Sequence, residues 1–568
     1  MRPRFLAPLF GAALCLLNGG VSVAIAAEPV ADTLLLNGRI YTVDGSQPWV
    51  EALAIDAGVI VFAGTTAQAR RFQGEGTRVI DLDGAMALPG LHDSHLHPLE
   101  AFHGAWTCFL PGGHPPESYI PRLQDCATRQ IGTDWVLGFG HSITNMLRAQ
   151  AEGGRAPVEI LDEAIPDRPA AMLEGTSHSV WANSLALAAA GFDAESADPP
   201  GGVILRDPQS GEPTGLLLDG AGEIVMDLAF APSPAMQALN ERAVRDSLVA
   251  MNRNGITSFA DARAHWRRGY LEAYRTVADG GDLTARALLG LWAYPYLNDD
   301  EQIAALRSLY DASVHPRLRF TQIKAYADGE VSHTSAALLA PYRNYQLASP
   351  RGLNYFDRAR LTRYITELEP IGFDFHIHTI GDRGVREALD AIASARQANG
   401  DLGRRHRLTH LEIVAPADIP RFVALDVVAD VQMSSSFVLP PETRFYRPYL
   451  GARRAMERVL RLRDLWESGA RVVLSSDYDV GALSPFVGMQ NSLTRGDQSL
   501  PTLDAAIRAY TINAAYLMQQ EDRLGSLEVG KLADLVVIDQ QLFDIAPEQI
   551  GATRVTLTMV GGDVVFQR

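Results

Sequence analysis

The chain has 568 residues, 47% of them hydrophobic and 21% charged, an ordinary balance for a globular protein with a large core. Its 50 basic and 67 acidic residues leave a formal charge of −17, and no basic run is present. That excludes nucleic acid as a main partner, because phosphate binding needs a basic surface.

The first predicted element is a secretory signal. Arg2 and Arg4 precede an apolar stretch, and Ala24-Ile25-Ala26 is a small-x-small cleavage site ahead of Ala27. Residues 1–26 therefore read as a cleaved signal peptide, with a periplasmic or secreted mature protein and no membrane contact after cleavage. Pro8, Gly11, Asn18, Gly19 and Gly20 interrupt the apolar stretch and argue against an uncleaved anchor. No later stretch is long and apolar enough to span a bilayer. Cys108 and Cys126 are the cysteines that remain; they pair or stay as free thiols, and spacing alone does not decide between the two.

Residues about 32–85 read as short strands. Apolar runs flank Asn37-Gly38, a turn signal, and a further strand lies between Gly58 and Gly64. The C-terminus looks alike, with a strand at 535–538 and a hairpin around Gly561-Gly562. Together they predict a small β-sandwich domain built from both termini, 27–85 and 523–568. Between them, strands at 255–259, 320–326, 373–378, 407–410, 427–431 and 472–475 alternate with helical stretches such as 361–370 and 383–395. This is the pattern of a parallel α/β fold. The prediction is a TIM-like (β/α)8 barrel over 86–522, starting near Ala87, with a large Pro- and Gly-rich insertion at 103–245 after the first strand.

Polar residues recur at the ends of these strands, the face that carries chemistry in such a barrel. In Leu91-His92-Asp93-Ser94-His95-Leu96-His97, residues two apart on a strand point the same way, so His95 and His97 aim at one point. That geometry suits a divalent metal. Lys324 lies mid-strand in an apolar context, where a charge is costly; it is either ion-paired, with Asp328 as one partner, or neutral and reactive. His376 and His378 share one strand face, His410 ends a short strand, and Asp477 follows Val472-Val473-Leu474-Ser475-Ser476, where a carboxylate serves as ligand and general base or as a helix cap.

Taken jointly, these motifs resemble the amidohydrolase superfamily, and more closely its family 3 branch, which includes N-substituted formamide deformylases. The resemblance rests on Pro89-Gly90-Leu91-His92-Asp93-Ser94-His95-Leu96-His97, Ile323-Lys324-Ala325-Tyr326-Ala327-Asp328-Gly329, His378-Thr379-Ile380-Gly381-Asp382-Arg383, Arg405-His406-Arg407-Leu408-Thr409-His410 and Ser476-Asp477. His178-Ser179-Val180-Trp181-Ala182-Asn183-Ser184 and Gly525-Ser526-Leu527-Glu528-Val529-Gly530-Lys531 extend it. The resemblance implies metal ligands at His95, His97, a carbamylated Lys324, His378, His410 and Asp477, holding one or two zinc ions. It implies Asp477 as the catalytic base and His178 as a substrate contact or oxyanion donor.

The chain departs from the branch in three places. Gln432 is followed by Met433-Ser434-Ser435-Ser436, Asp477 by Tyr478-Asp479, and Gly329 by Glu330-Val331-Ser332-His333-Thr334 instead of a Ser/Gly/Arg-rich segment. These lie near the expected pocket and leave the substrate open. The leading expectation is hydrolysis of a non-peptide C–N amide bond in a small molecule. A deaminase, or a carbamate, ester or lactone hydrolase, stands as the enzymatic alternative. A secreted metal- or ligand-binding protein is the non-enzymatic one. His378-Thr379-Ile380-Gly381 lacks the His-x-x-Glu of the deaminases. A homodimer is compatible with this sequence.

Overall fold

The computed structural model describes residues 30–102, 108–345, 347, 349–435, 438 and 443–568. The expected signal peptide, residues 1–26, lies outside them.

Eight parallel strands form the barrel: β1 (Leu91–Leu96), β2 (Ile256–Ala264), β3 (Arg286–Trp292), β4 (Leu318–Tyr326), β5 (Asp374–Thr379), β6 (Arg407–His410), β7 (Val428–Gln432) and β8 (Val472–Ser475). Neighbours pair in chain order. The ring closes just past β8: Asp477 N–H donates to the His95 carbonyl and His97 N–H to the Tyr478 carbonyl, each at 2.8 Å. Strands covered on both faces read as apolar runs rather than alternations; β8, Val-Val-Leu-Ser, is wholly buried. The short strand Asp311–His315 adds antiparallel to β4.

The barrel interior carries a polar network. Arg407 is fully buried, donating to Asp430 Oδ2 at 3.0 Å and to Gln322 Oε1 at 2.8 Å. Asp430 also accepts from Ser94 and Ser475.

The termini build two facing sheets. A six-stranded sheet runs Asp563–Gln567, Val555–Val560, Leu535–Ile538, Met86–Pro89, Arg39–Tyr41, Trp49–Val50, and a four-stranded one runs Val59–Gly64, Ala52–Asp56, Thr33–Leu36, Arg78–Asp81. Leu35, Ile40, Leu53, Ile60, Val537 and Met559 pack between them. Asn37-Gly38 is not a hairpin turn: the strands on either side join different sheets, and Asn37 turns the corner at φ 54°. Ala87 belongs here too, opposite Val537 and Ile40, so the barrel begins at Leu91 and not near Ala87.

The insertion has its own six-stranded sheet, ordered Gly202–Arg206, Pro213–Asp219, Ser179–Ala182, Ala170–Glu174, Val136–His141, Cys108–Phe109. Its two faces bury separate apolar clusters, one around Trp181 and Leu161, the other around Leu173 and Val225. The expected end at 245 is too late. Helix Pro234–Arg253 starts with Pro at its first position and a Ser233 side-chain cap, and it packs on the helices Pro98–Phe102 and Tyr270–Asp279 as part of the barrel's outer layer. Composition drew that boundary, whereas the apolar stripe of Ala243, Val244, Leu248 and Met251 draws the helix.

Cys108 and Cys126 are disulfide-bonded, with Cα atoms 5.3 Å apart and a sequence separation of 18. Closing a loop of that length contributes about 3 kcal/mol. A Cys108→Ser/Cys126→Ser variant is expected to lose that amount in the urea unfolding of the insertion; an unchanged midpoint would show the bond to be thermodynamically idle.

Candidate metal centre

The end of β1 places His95 and His97 as the two-residue spacing predicts. Both are buried, and the Nε2 atoms of both lie 3.2 Å from Asp477 Oδ1. His410 Nδ1 stands 3.9 Å from the other Asp477 oxygen. Asp477 (φ 54°) and His410 (φ 73°) both adopt the left-handed region, uncommon outside glycine and frequent at functional sites. Ligand atoms of His95, His97 and Asp477 all lie within 4.8 Å of one another.

The remaining predicted residues sit around this group. The His378 ring lies 4.3 Å from that of His410 and stacks on Tyr326 at 4.1 Å. Lys324 is fully buried on β4, with Nζ 3.5 Å from His376 Nε2. Asp328 is not its partner, since its oxygens accept backbone N–H groups of Ala337, Ile380 and Gly381. His178 reaches over from the insertion, its ring 5.2 Å from that of His378.

Electrostatics prepare these groups for a cation. Burial holds His95, His376 and His378 well below the ordinary imidazole value and His410 down to about 3. They are neutral at pH 7, the form that ligates metals. Burial opposes ionisation of Asp477, but His95 and His97 outweigh it and keep the carboxyl well below its usual range. Burial also drives Lys324 well below the ordinary amine value. Among the described residues, His95 Nε2, His410 Nε2 and both nitrogens of His378 lack a hydrogen-bond partner. Orphaned neutral imidazoles beside an ionised carboxylate fit a divalent cation. His95 Nδ1 is 2.8 Å from Thr409 Oγ1 and 3.0 Å from His376 Nε2, which leaves Nε2 as the ring atom facing Asp477.

Sequence reasoning missed several supports. Glu100 stands behind His97, 3.5 Å from its Nδ1, and is fixed by Arg263 at 2.7 Å. Asp219 Oδ1 is 2.6 Å from His178 Nδ1, and the Tyr355 hydroxyl donates to Asp219 Oδ2. Carboxylates in this position orient a ligand histidine and set its tautomer. Glu330 Oε1 lies 3.5 Å from His178 Nε2. Glu412, two residues past His410, accepts from Tyr446 while burial pushes it up to about 7. Only position 330 carried a sequence signal, as part of a departure from the branch pattern.

A cavity of about 230 Å³ opens onto this group, lined by His97, His410 and Asp477 from the barrel and Ser142, Glu174 and His178 from the insertion. Its roof is tied down by an ion pair. His333 Nε2 is 3.6 Å from Glu174 Oε2. Burial opposes both charges, yet Glu174 raises His333 above 6.5, and His333 brings Glu174 down to about 2. The carboxylate's share of this stability is complete above its unfolded value and is lost as pH falls towards about 2. The imidazole's share is complete below pH 6.5 and is lost as pH rises through the raised value. Glu174→Gln is therefore expected to cost more stability in urea at about pH 6 than at about pH 9; equal losses at both would remove the pair as the tie.

A parallel barrel whose strand ends gather neutral histidines and a carboxylate under a cavity has the architecture of a metal-dependent hydrolase. The chain belongs to the amidohydrolase family, whose model matches residues 78–566. It is 29% identical over 556 residues to the Protein LONG AFTER FAR-RED 3 of Arabidopsis thaliana, covering 94% of this chain and 92% of that protein. It is 25% identical over 571 residues to the N-substituted formamide deformylase of Arthrobacter pascens, covering 94% and 98%. Its fold matches the crystal structure of an uncharacterized metal-dependent hydrolase from Pyrococcus horikoshii OT3 with TM-score 0.72 at 22% identity, over 91% of this chain and 99% of that one.

Proposed function

We propose that this protein hydrolyses a non-peptide C–N amide bond of a small molecule with the help of a divalent metal, zinc by its donor set. The convergence of His95, His97 and Asp477 on one point carries this reading. The similarity to an N-substituted formamide deformylase supports the bond type. His95, His97 and Asp477 would hold the ion, with a carbamylated Lys324, His378 and His410 completing the donors for one or two ions. When bound, the metal supplies Lewis acidity, making a water acidic near pH 7 and polarising a carbonyl.

The chain's own groups do the rest. Asp477, ionised and steadied by two histidines, accepts the proton of the attacking water and returns it to the leaving amine. His178, steadied by Asp219, faces the carbonyl oxygen from the insertion side. The roof formed by the insertion limits water around the reacting bond. Lys324, a buried amine whose charged form burial disfavours, adds CO2 at Nζ as the free base and releases a proton, becoming an anionic ligand. Native mass spectrometry of metallated protein is expected to show the added mass of one CO2, absent in Lys324→Ala; its absence in wild type would exclude the carbamate.

The deciding experiment combines metal analysis with a panel of N-formyl amines, N-acyl amines, amidines and esters. Turnover of an amide, abolished by chelation and restored by zinc, is the expected result. Fully metallated protein that turns over none of the panel would sink the proposal, and turnover of esters alone would reassign the bond.

We also place the mature protein in the periplasm or outside the cell. The Cys108–Cys126 bond suits an oxidising compartment. Among the described residues no helix is long and apolar enough to cross a membrane.

A further inference from the structure

We propose that the substrate carries a primary ammonium or guanidinium group, received by Glu330 and Glu412 at the wall of the cavity. This rests on the proposed function and narrows it to cationic amides. The resemblance implies no such group: position 330 departs from the branch pattern, and position 412 lies outside the shared motifs.

The balance of charge argues first. Among the described residues, the cavity wall carries the carboxylates of Glu174, Glu330, Glu412 and Asp477 against a single arginine, Arg263. Glu174 is answered by His333, and Asp477 by His95 and His97. Arg263 is engaged elsewhere, donating to Glu100 at 2.7 Å and to the Tyr326 hydroxyl at 3.3 Å. A single zinc ion at the deeper group would be balanced by Asp477 and the proposed carbamate on Lys324. Glu330 and Glu412 are left over. The ionisable partner of Glu330 is His178, 3.5 Å away, and that one imidazole already faces Asp219 at 2.6 Å. It neutralises at most one of the two carboxylates beside it.

An open acceptor argues second. Glu412 is only 4% exposed, yet one of its oxygens lacks a protein donor. The Tyr446 hydroxyl donates to Oε2 at 2.9 Å; Oε1 has no hydrogen-bond donor among the described residues, and the side chain lines the cavity. A carboxylate oxygen that has given up bulk water without a protein donor is costly unless a ligand supplies one. Burial first, and then the like charges of Glu412, Asp477, Asp219 and Glu174, hold the Glu330 carboxyl well above its usual range. An entering cation relieves that crowding, which a neutral or anionic group cannot.

The rest of the wall sets the kind of cation. The open oxygens are acceptors, so they select a group with N–H donors over a quaternary ammonium. Tyr326, Phe445 and Val480 line the same cavity and suit a short alkyl or aromatic stem beside the charge. At about 230 Å³ the cavity is smaller than the roughly 300–1,000 Å³ that hold drug-sized ligands, so the molecule is small.

The test compares three N-formyl amines of equal length, ending in an ammonium, a methyl or a carboxylate group, on the zinc-loaded full chain. The ammonium-ended compound is expected to show a kcat/KM about 10–100-fold above the methyl-ended one, the scale of a hydrogen-bonded charge pair, with the carboxylate-ended one slowest. Glu412→Gln and Glu330→Gln are each expected to shrink that ratio through a raised KM for the ammonium-ended compound. A merely structural role would lower all three rates together and leave the ratio intact, and thermal melts check that each variant folds. Turnover of the three amides without preference for the ammonium would overturn the inference and leave the proposed function standing. So would a preference unchanged in both variants. If none of the three is turned over, the amide reading fails, and calorimetric titration with n-butylammonium decides the inference separately. Binding that Glu412→Gln weakens supports it, and no binding, or binding unchanged in that variant, overturns it.

Discussion

Asp477→Asn is expected to retain zinc at the His95/His97 group while kcat falls about 10²–10⁴-fold, the usual contribution of a general acid–base residue. Asparagine keeps the size of the side chain and one oxygen donor, and His95, His97 and His410 remain around it. What it cannot do is accept the proton of the attacking water. The environment of Asp477 is built to keep it ionised: burial disfavours the charge, but the histidines beside it win. Elemental analysis should give the wild-type metal content of this group, and single-turnover kinetics should locate the loss in the chemical step. A variant with normal metal and a wild-type rate would remove Asp477 as the base. A variant that loses its metal would instead make it a ligand first.

Arg407→Leu is expected to destabilise the protein by about 3–5 kcal/mol, the cost of leaving one member of a buried ion pair alone. Arg407 crosses the barrel interior with no exposure. It donates to Asp430 and Gln322 and lies 2.6 Å from His376 Nδ1. Burial lowers its guanidinium to about 10, so it still carries its charge at pH 7. Leucine would leave the Asp430 carboxylate in the core with only the Ser94 and Ser475 hydroxyls and the Gln432 amide. Urea unfolding should show a lower midpoint at unchanged slope. Arg407→Leu/Asp430→Asn should recover part of the loss, because the orphaned charge is gone. A loss under about 1 kcal/mol in the single variant would mean that the pair is not what holds the interior together.

The strand ends were readable because they depend on local rules. The i, i+2 spacing of His95 and His97, the short strand ending at His410 and the apolar run before Asp477 each place a side chain on a known face without reference to the rest of the chain. β6 and β8 start and stop where the apolar pattern does. β3 carries no such signal; its run Arg286–Trp292 contains Gly290 and ends without a titratable residue. Asn37-Gly38 shows the limit of a turn signal. Two residues specify a reversal of direction, but the sheet that each flanking strand joins is set by partners at 52–56, 78–81 and 86–89.

The sequence alone determined the barrel, the histidines and carboxylate at its strand ends and the presence of an insertion, because strand periodicity and residue chemistry are properties of short segments. Tertiary structure alone decided which distant groups meet. Asp219 and Tyr355 are 136 residues apart, and His178 and Asp219 are 41 apart, yet they form one chain of contacts ending at Glu330. Nothing local encodes that meeting. It follows from the register of the barrel strands and from the packing of the insertion's own core, which together bring carboxylates behind the histidines and so set their tautomers.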